Sequence, residues 1–292
     1  MANPNKYTER AELLAKRDAI DADLNYALTG EQPYTWRNYP ARDPVIANCE
    51  KHGEYREYSF LIQILNHPER HMCSGCPECL RSELAIVERA LQHHRVAELL
   101  ANAGIGRRFE RCELENYDAV TIEAGKNRDA CQRYAEAWPD HLANGTSMAM
   151  IGRCGTGKNH LAVGLAKKII RLHQSSVLIT DVMQINRAVK STWRANADRT
   201  EAEVLGDFIS PDLLIIDELG AQTGNISELA ILQELINIRY ECVLPTIVIS
   251  NLTLEQLRQG VGDRIVDRVT DGGNNRLIFD WPSYRGTGGA AA

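Results

Sequence analysis

The sequence predicts an α/β protein in which a mostly parallel sheet is flanked by helices and preceded by a small N-terminal region. Short apolar runs alternate with helical stretches from about residue 106 onward. A glycine-rich segment follows the first of these runs and opens a helix, as in phosphate-binding loops. Four of the eight cysteines fall between Cys49 and Cys79, which sets the N-terminal region apart from the rest of the 292-residue chain.

The composition limits the kind of protein this chain can be. Hydrophobic residues make up 44% and charged residues 25%, the balance of an ordinary soluble globular protein. The net charge of -6 argues against a uniformly basic nucleic-acid binder, so any contact with nucleic acid requires a local basic patch. No apolar run reaches about 18 residues, and the polar N-terminus lacks the apolar segment of a signal peptide. We therefore expect a cytoplasmic protein without membrane contact, whose cysteines are metal ligands or buried thiols.

Two helices are predicted in the N-terminal region. Residues 8–28 begin with a capping threonine and carry leucine and isoleucine at roughly helical spacing. Residues 82–103 carry a second apolar stripe, and glycines follow them. The proline-rich residues 30–44 are interpreted as a linker or irregular arm. The predicted division of the chain is an N-terminal region, a nucleotide-binding domain and a disordered tail, at residues 1–105, 106–285 and 286–292.

The second domain alternates strands and helices. Short apolar runs predict strands at residues 147–152, 176–180, 213–217, 246–250 and 276–280. Helical stretches between them are predicted at residues 160–172, 182–194 and 228–240. Strands that alternate with helices of this length indicate a mostly parallel sheet that is covered by helices on both faces.

The glycine-rich segment lies between the first predicted strand of this domain and the helix after it. It matches a phosphate-binding loop (P-loop) with Gly152, Gly155, Thr156, Gly157, Lys158 and Asn159. Glycines allow backbone amides to surround phosphates, the helix N-terminus favours anions, and Lys158 would reach the β- and γ-phosphates of ATP. Asn159 departs from the pattern, because it replaces the hydroxyl residue that normally binds Mg²⁺. An amide oxygen can also coordinate this cation, and direct coordination is left open.

A pair of carboxylates after the third predicted strand strengthens this interpretation. Asp217 and Glu218 end an apolar run about 60 residues after the P-loop, as in a Walker B motif. We expect Asp217 to hold Mg²⁺, directly or through water, and Glu218 to polarise the attacking water. Two adjacent carboxylates favour hydrolysis of ATP over phosphoryl transfer to a small molecule.

Two further features follow in chain order. Asn251 ends the fourth predicted strand, where a polar side chain can orient the lytic water. Arg264 and Arg268 stand four residues apart on one face of a predicted helix. Arginine stabilises transition-state charge from a neighbouring molecule in many nucleotide switches. A simple turn residue and two surface arginines are the structural alternatives.

These residues resemble the bacterial DnaC-type replicative helicase loaders. The resemblance rests on the Lys-Asn-His sequence at 158–160, the segment 217–220 with Gln222 and Thr223, the segment 262–268 and the ending 279–285. It covers residues 107–285, and it makes Asn159 a family trait.

The resemblance implies an AAA+ ATPase that self-associates into an ATP-dependent oligomer on single-stranded DNA and helps to place a DnaB-type ring helicase there. It implies that single-stranded DNA stimulates ATP hydrolysis. By this likeness Asn251 is a sensor 1 residue, and Arg268 is an arginine finger that enters a neighbouring subunit's site with Arg264 close by. Arg285 is a sensor-2-like residue.

The resemblance also places a DNA-binding helical insertion at residues 181–199. This segment carries Lys190, Trp193 and Arg194. A local basic face with one large aromatic side chain suits a site that follows the DNA backbone and stacks a base. The alternative is an amphipathic helix whose tryptophan packs inside.

The cysteine cluster predicts a Zn²⁺ site in the N-terminal region. Cys49 and His52 form one pair, and Cys76 and Cys79 form another, each with two residues between its members. Such pairs suit tetrahedral Zn²⁺, because each pair reaches the metal through one tight turn. Cys73 has the same spacing before Cys76 and is an alternative ligand.

Other details of this N-terminal module stay open. His67 and His71 are weaker ligand candidates. Helicase docking, DNA binding and a purely structural clip are its alternative roles. The apolar segment 59–65 serves either as a partner surface or as the module's core.

The favoured interpretation is an ATP-dependent helicase loader of bacterial or phage origin with a zinc-containing region for partner recognition. An IstB-like transposition ATPase shares the same core, but the Lys-Asn-His sequence and the ending of the chain favour the loader. A small-molecule P-loop kinase predicts an acceptor-binding lid, and none is evident in the sequence. Because Asn159 replaces the usual hydroxyl residue, a nucleotide-gated adaptor that hydrolyses little ATP stays a further alternative.

Overall fold

The computed structural model describes residues 4–34, 37–62, 69–220, 226–272 and 275–284. The chain divides into two compact units, residues 1–95 and 96–292. The division falls within a helix, ten residues before the predicted boundary at residue 105. The functional limits of the domains stay a prediction, as does disorder of the tail 286–292, which lies outside the described residues. No helix in the described part of the chain is long and apolar enough to cross a lipid bilayer.

The first unit combines long helices with two small antiparallel sheets. Its elements are α1 (Pro4–Thr29), β1 (Val45–Cys49), β2 (Gly53–Glu57), β3 (Ser59–Ile62), β4 (Arg70–Cys73) and the first part of α2 (Pro77–Asn102). β1 pairs with β2, and β3 pairs with β4. Both predicted helices are confirmed, and each begins four or five residues earlier than expected. The sequence predicts none of the four strands, because β2 and β4 are short and mostly polar.

A small cluster of buried side chains packs α1 against the β3–β4 sheet. Phe60 and Ile62 of β3 pack with Tyr26 of α1, whose ring lies edge-on to Phe60 at 5.6 Å between centroids. The described part of the apolar segment 59–65 is therefore core, whereas residues 63–65 lie outside the described residues. A cluster this small supplies little hydrophobic stabilisation on its own.

The second unit is built around a five-stranded sheet. Its elements are α3 (Ile122–Glu136), α4 (Trp138–Asn144), β5 (Met148–Gly152), α5 (Lys158–His173), β6 (Val177–Asp181), α6 (Val182–Ser191), α7 (Glu201–Ile209), β7 (Leu213–Asp217), α8 (Ile226–Glu241), β8 (Thr246–Ser250), α9 (Leu254–Val261), α10 (Asp263–Thr270) and β9 (Arg276–Phe279). The five predicted strands are confirmed to within one residue at each end. The three predicted helices are confirmed with ends that shift by up to three residues.

All five strands of this sheet are parallel, in the order β6-β7-β8-β5-β9. Successive residues of β5 enter opposite cores: Met148 and Met150 belong to one buried cluster, whereas Ala149 and Ile151 belong to the other. Burial on both faces explains why these strands are nearly continuous apolar runs rather than alternating ones. The predicted α/β fold with helices on both faces is confirmed.

The last turn of α2 belongs to the second unit. Leu99 and Ala103 are buried in its core, and the amide of Ile179 donates to the carbonyl of Ala103 at 2.9 Å. Gly104 has a φ of +71°, and a Cβ there would lie 2.2 Å from the carbonyl oxygen of Ile179. These contacts explain why the compact unit begins before residue 105.

A buried arginine ties together the amino ends of β7 and β8. Arg239 of α8 has no exposed surface. Its guanidinium donates to one hydroxyl and five carbonyls, those of Thr246 and of Phe208, Ile209, Pro211, Asp212 and Pro245. Burial lowers the pKa of Arg239 to about 10, against the opposing effect of Asp212, so the side chain stays charged at neutral pH.

Replacing this arginine tests how much the network stabilises the fold. We expect Arg239→Met to lower the free energy of unfolding by about 3 kcal/mol, because several buried carbonyls lose their donors. Denaturant titration followed by circular dichroism measures the change. Arg128→Met, which removes an exposed arginine paired with its neighbour Asp129, is the control and should cost less than about 1 kcal/mol. Equal stability of the two variants would show that the network contributes little.

Candidate nucleotide and metal sites

The P-loop connects β5 to α5 and is shaped by glycines. Gly155 and Gly157 have φ angles of +78° and +93°, which L side chains rarely adopt. A Cβ at Gly155 would lie 2.1 Å from Ser283 Oγ, and one at Gly157 would lie 2.7 Å from Tyr117 Cε2. The loop is therefore packed from outside by distant parts of the chain, and glycine is required at both positions.

Lys158 is the first residue of α5 and lies inside the curve of the loop. The side chain is 3% exposed, and its Nζ donates to the carbonyls of Gly152 and Arg153, both at 2.7 Å. The Thr156 hydroxyl also donates to the carbonyl of Arg153, at 2.8 Å. The sequence places a cation at the base of a phosphate-binding loop, and the structure buries that cation within it.

The two nucleotide motifs are joined by a direct hydrogen bond. Asn159 Nδ2 donates to Asp217 Oδ2 at 2.5 Å, and Asp217 Oδ1 accepts from the amide of Glu218 at 2.7 Å. Because a carboxylate only accepts, the amide nitrogen of Asn159 must face it. The oxygen Oδ1 of Asn159 thus remains the atom of this side chain that can bind a cation.

Glu218 follows β7 in a strained conformation. Its φ is +59°, which is unusual for a residue other than glycine, and its side chain is exposed. The turn is fixed to β8, because the amide of Leu219 donates to the carbonyl of Ile249 at 2.9 Å and Ser250 Oγ donates to the carbonyl of Leu219 at 2.6 Å. Backbone strain of this kind is concentrated at functional sites.

Asn251 directly follows β8 and is exposed. In the sheet β8 lies between β5, which leads into the P-loop, and β7, which ends at Asp217. Since the carboxyl ends of parallel strands meet at one edge, the topology places Asn251 between the two motifs. Its role as a sensor stays a prediction.

The two predicted arginines lie on α10, as their spacing indicated. Arg264 is exposed, whereas Arg268 is half-buried with its guanidinium 5.1 Å from the centroid of the Tyr240 ring. Within the described residues, Arg268 Nη1 has no hydrogen-bond partner. Their roles toward a neighbouring subunit stay predictions. Arg285 lies outside the described residues, as do Gln222 and Thr223.

Three aromatic residues that the sequence reasoning did not assign to the site contact the P-loop. Tyr117 Oη and Trp281 Nε1 both donate to the carbonyl of Thr156, each at 3.2 Å. The amide of Tyr284 donates to the carbonyl of Gly155 at 2.9 Å. Residues 280–284, here called the strap, therefore lie against the loop. The ending of the chain was noticed only as part of the family resemblance.

The histidine after Asn159 anchors the segment that carries Tyr117. His160 Nε2 lies 2.9 Å from the carbonyl of Glu113 and 2.9 Å from Asn116 Oδ1, and its ring is edge-on to Tyr117 at 5.3 Å. A backbone carbonyl only accepts, so Nε2 carries the proton. Three neighbouring side chains thus have three different partners: Lys158 bonds to the P-loop, Asn159 to Asp217, and His160 to the segment that carries Tyr117.

An ion-pair network supports the same segment from α5. Lys167 Nζ donates to the carbonyls of Glu110 and Cys112, at 2.5 and 3.0 Å, and to Glu113 Oε1 at 2.9 Å. Arg171 donates to both oxygens of Glu113. Burial acts to raise the pKa of Glu113, but the two cations outweigh it and lower the pKa below its usual value.

The predicted DNA-binding residues lie at and after the end of α6. Lys190 Nζ pairs with Glu228 Oε1 at 2.6 Å, which neutralises part of the predicted basic face. Trp193 is 54% exposed, so it does not pack inside, and its Nε1 donates to Glu201 Oε2 at 2.9 Å. Arg194 is exposed. Contact with DNA stays a prediction.

The four predicted zinc ligands converge in the first unit. One potential ligand atom from each of Cys49, His52, Cys76 and Cys79 lies within 4.8 Å of the others. The distances are 3.6 Å from Cys49 Sγ to Cys79 Sγ, and 3.7, 3.6 and 3.4 Å from His52 Nδ1 to the sulfurs of Cys49, Cys76 and Cys79. Tetrahedral Zn²⁺ with ordinary bond lengths separates its ligands by about 3.6–3.8 Å. The arrangement is compatible with a zinc site.

Two of the alternative ligands, Cys73 and His71, are not part of this group among the described residues. Cys73 lies on β4 opposite Ser59, where burial raises the pKa of its thiol. His71 is exposed on the same strand, and His67 lies outside the described residues. By contrast, hydrogen bonds from the backbone of Lys51 and His52 lower the pKa of Cys49 to about 6. A thiolate is the form in which cysteine binds metal.

Comparisons with known proteins identify the relatives of this chain. A family model described as IstB-like ATP binding protein matches residues 84–278. The replicative helicase loader DnaC of Buchnera aphidicola subsp. Schizaphis graminum is 35% identical over 207 residues, which are 70% of this chain and 81% of that protein. DnaC of Escherichia coli K12 is 33% identical over 202 residues, 69% of this chain and 80% of that protein.

Solved structures show the same fold. The crystal structure of the DnaC helicase loader matches with a TM-score of 0.54 at 19% identity, over 60% of this chain and 99% of that one. The structure of DnaI matches with a TM-score of 0.51 at 20% identity, over 63% of this chain and 98% of that one. At these identities the structural likeness concerns the fold alone. Together with the sequence matches, it shows that the chain belongs to the DnaC-type helicase loader family and carries an IstB-like ATP-binding domain.

Proposed function

We propose that this protein is an ATP-dependent loader of a replicative ring helicase. The observation that carries the proposal is the Asn159–Asp217 hydrogen bond, which joins a P-loop to a Walker B carboxylate in a chain of the DnaC-type family. The 33–35% identity to proteins named DnaC favours helicase loading over a role as a transposition helper. We place this activity in the cytoplasm, with no membrane partner.

The site residues have distinct roles in binding and hydrolysis of ATP. The amides of the P-loop and Lys158 bind the phosphates. Asn159 Oδ1 and Asp217 hold Mg²⁺, which neutralises charge on the phosphates when it is bound. Glu218 accepts a proton from the attacking water, and Asn251 orients that water. Both side chains are exposed at the carboxyl edge of the sheet, where water has access.

The arginines of α10 act on a neighbouring subunit in an ATP-dependent oligomer. Both lie on α10, and the structure gives neither a contact with the P-loop among the described residues. A half-buried guanidinium with an unpaired Nη1 has hydrogen-bonding capacity to offer to a phosphate. In this proposal Arg268 stabilises the charge of the transition state, Arg264 supports it, and Arg285 contacts nucleotide from its own chain.

Single-stranded DNA binds beside the end of α6 and stimulates hydrolysis. Trp193 offers an exposed ring for a base, and Arg194 offers an exposed positive charge for the backbone. Lys190 contributes less to DNA binding, because its charge is already paired with Glu228. A local patch of this kind allows a chain of net charge -6 to bind DNA.

The cluster of Cys49, His52, Cys76 and Cys79 holds a structural Zn²⁺. The four potential ligand atoms fit a closed tetrahedral site, and two of the residues are separated in sequence from the other two by 23 residues. The metal would fix the β1–β2 hairpin to the start of α2 inside the first unit, where the aromatic cluster is small. We propose that this unit recognises the helicase.

Loading requires a complex with a helicase that depends on bound nucleotide. We expect native mass spectrometry of the protein with a DnaB-type helicase and ATP to show a stable complex. Lys158→Ala should weaken ATP binding by about 100-fold, because it removes charged hydrogen bonds to phosphate. Lys168→Ala, on the same helix but paired at the surface with Glu115, is the matched control. Absence of any helicase complex would refute the loader assignment.

The position of the arginine finger is testable by mixing two inactive variants. Glu218→Gln and Arg268→Ala should each retain ATP binding and lose at least about 90% of DNA-stimulated hydrolysis. A mixture should regain activity, because an Arg268→Ala subunit with an intact Glu218 can receive the arginine of a Glu218→Gln neighbour. Phosphate release measures the rates. An inactive mixture, or a fully active Arg268→Ala protein, would contradict the assignment.

Metal analysis tests the zinc site directly. Protein purified without chelators should contain about one zinc per chain, and Cys76→Ser should lose it together with the ordered first unit. Cys73→Ser should retain the metal, since Cys73 lies outside the cluster, and serves as the control. Zinc-free protein with an intact first unit would rule out the ligand set.

A further inference from the structure

The orientation of two successive peptide groups in the P-loop is fixed from outside the loop. The carbonyl of Thr156 accepts from Tyr117 Oη and Trp281 Nε1, and the carbonyl of Gly155 accepts from the amide of Tyr284. Thr156 is 2% exposed, and Trp281 is 4% exposed. The Thr156 carbonyl and its two side-chain donors are therefore shielded from water, which makes these two bonds costly to leave unmade.

Fixing these carbonyls also fixes the amides on the other side of each peptide plane. In a planar trans peptide the C=O and the following N–H point in opposite directions. The Gly157 amide must therefore point away from Tyr117 and Trp281, and the Thr156 amide away from the strap. Within the described part of the chain, neither amide donates a hydrogen bond. Two successive amides on one face form a concave anion-binding site.

Both side-chain donors persist at neutral pH. Burial raises the pKa of Tyr117 to about 12, so its hydroxyl keeps its proton. The indole N–H of Trp281 does not titrate. The Tyr117 side is held by His160, and the Trp281 side by packing of its ring on Phe279 at 5.1 Å between centroids. The carbonyl of Thr156 is thus hydrogen-bonded to two side chains, and each of these packs against a different aromatic ring.

We infer that Trp281 and Tyr117 are positioning residues for the phosphates of ATP, which hold the Thr156 carbonyl so that the Gly157 amide faces the nucleotide. The Thr156 amide is oriented separately, through the bond from the Tyr284 amide to the Gly155 carbonyl. The inference rests on the proposed binding of ATP by the P-loop. It assigns Trp281 and Tyr117 a role in phosphate binding that neither residue performs by touching the nucleotide.

Removal of each donor without loss of the ring tests this role. Tyr117→Phe deletes one donor. At residue 281, a tryptophan analogue with sulfur in place of the indole N–H deletes the other and preserves the shape. Either change alone should weaken ATP and ADP binding about threefold, because the remaining donor still holds the carbonyl. Both changes together should weaken it about thirtyfold, as the buried carbonyl then has neither side-chain donor. Calorimetry measures the dissociation constants.

Adenosine, which has no phosphates, separates positioning from general destabilisation. Its affinity, measured by ligand-detected NMR, should be the same for all variants, whereas a loss of folded protein would weaken every ligand equally. Tyr134→Phe is the matched control, because it deletes a buried hydroxyl bond to the carbonyl of Thr146, away from the loop. Unchanged ATP affinity in the double variant would overturn the inference alone. Failure of the unaltered protein to bind ATP would overturn the proposed function as well.

Discussion

The position of β8 between β5 and β7 is the constraint on which the nucleotide site depends. Because these strands are parallel, their carboxyl ends meet at one edge of the sheet and bring together residues that are distant in sequence. The strands that carry the P-loop and Asp217 are not neighbours, so a side chain must bridge the width of β8. Asn159 does so through its bond to Asp217.

The two units are stabilised by different means. In the second unit both faces of a five-stranded sheet are covered, and the interior is filled by two large apolar clusters. In the first unit the strands are short, and the aromatic cluster is small. Four side chains that could hold a metal ion converge there, and a metal site is the kind of cross-link that small folds use in place of a large core. The candidate zinc site and the candidate nucleotide site thus lie in separate parts of the chain.

The placement of residues could be predicted where the signal is local, whereas their roles stay predictions. The glycines and lysine of the loop, the carboxylates at the end of β7 and the paired candidate zinc ligands each occupy a few neighbouring positions, so their spacing indicates their geometry. The contacts of Thr156 were missed because their partners lie 39 and 125 residues away. The strands of the first unit were missed because polar residues dominate β2 and β4. The pairing of Lys190 with Glu228 spans 38 residues and equally has no local signature.

The amino edge of the main sheet contrasts with the edge that carries the site. At the amino edge Arg239 donates to carbonyls of the residues that precede β7 and β8. Ser147 accepts from the amide of Thr246. Asp212 accepts from the amide and the hydroxyl of Ser176. These bonds are internal and involve no ligand. None of these bonds depends on a group at the carboxyl edge. The amino edge is therefore a fixed base for the sheet, whether or not a nucleotide occupies the opposite edge.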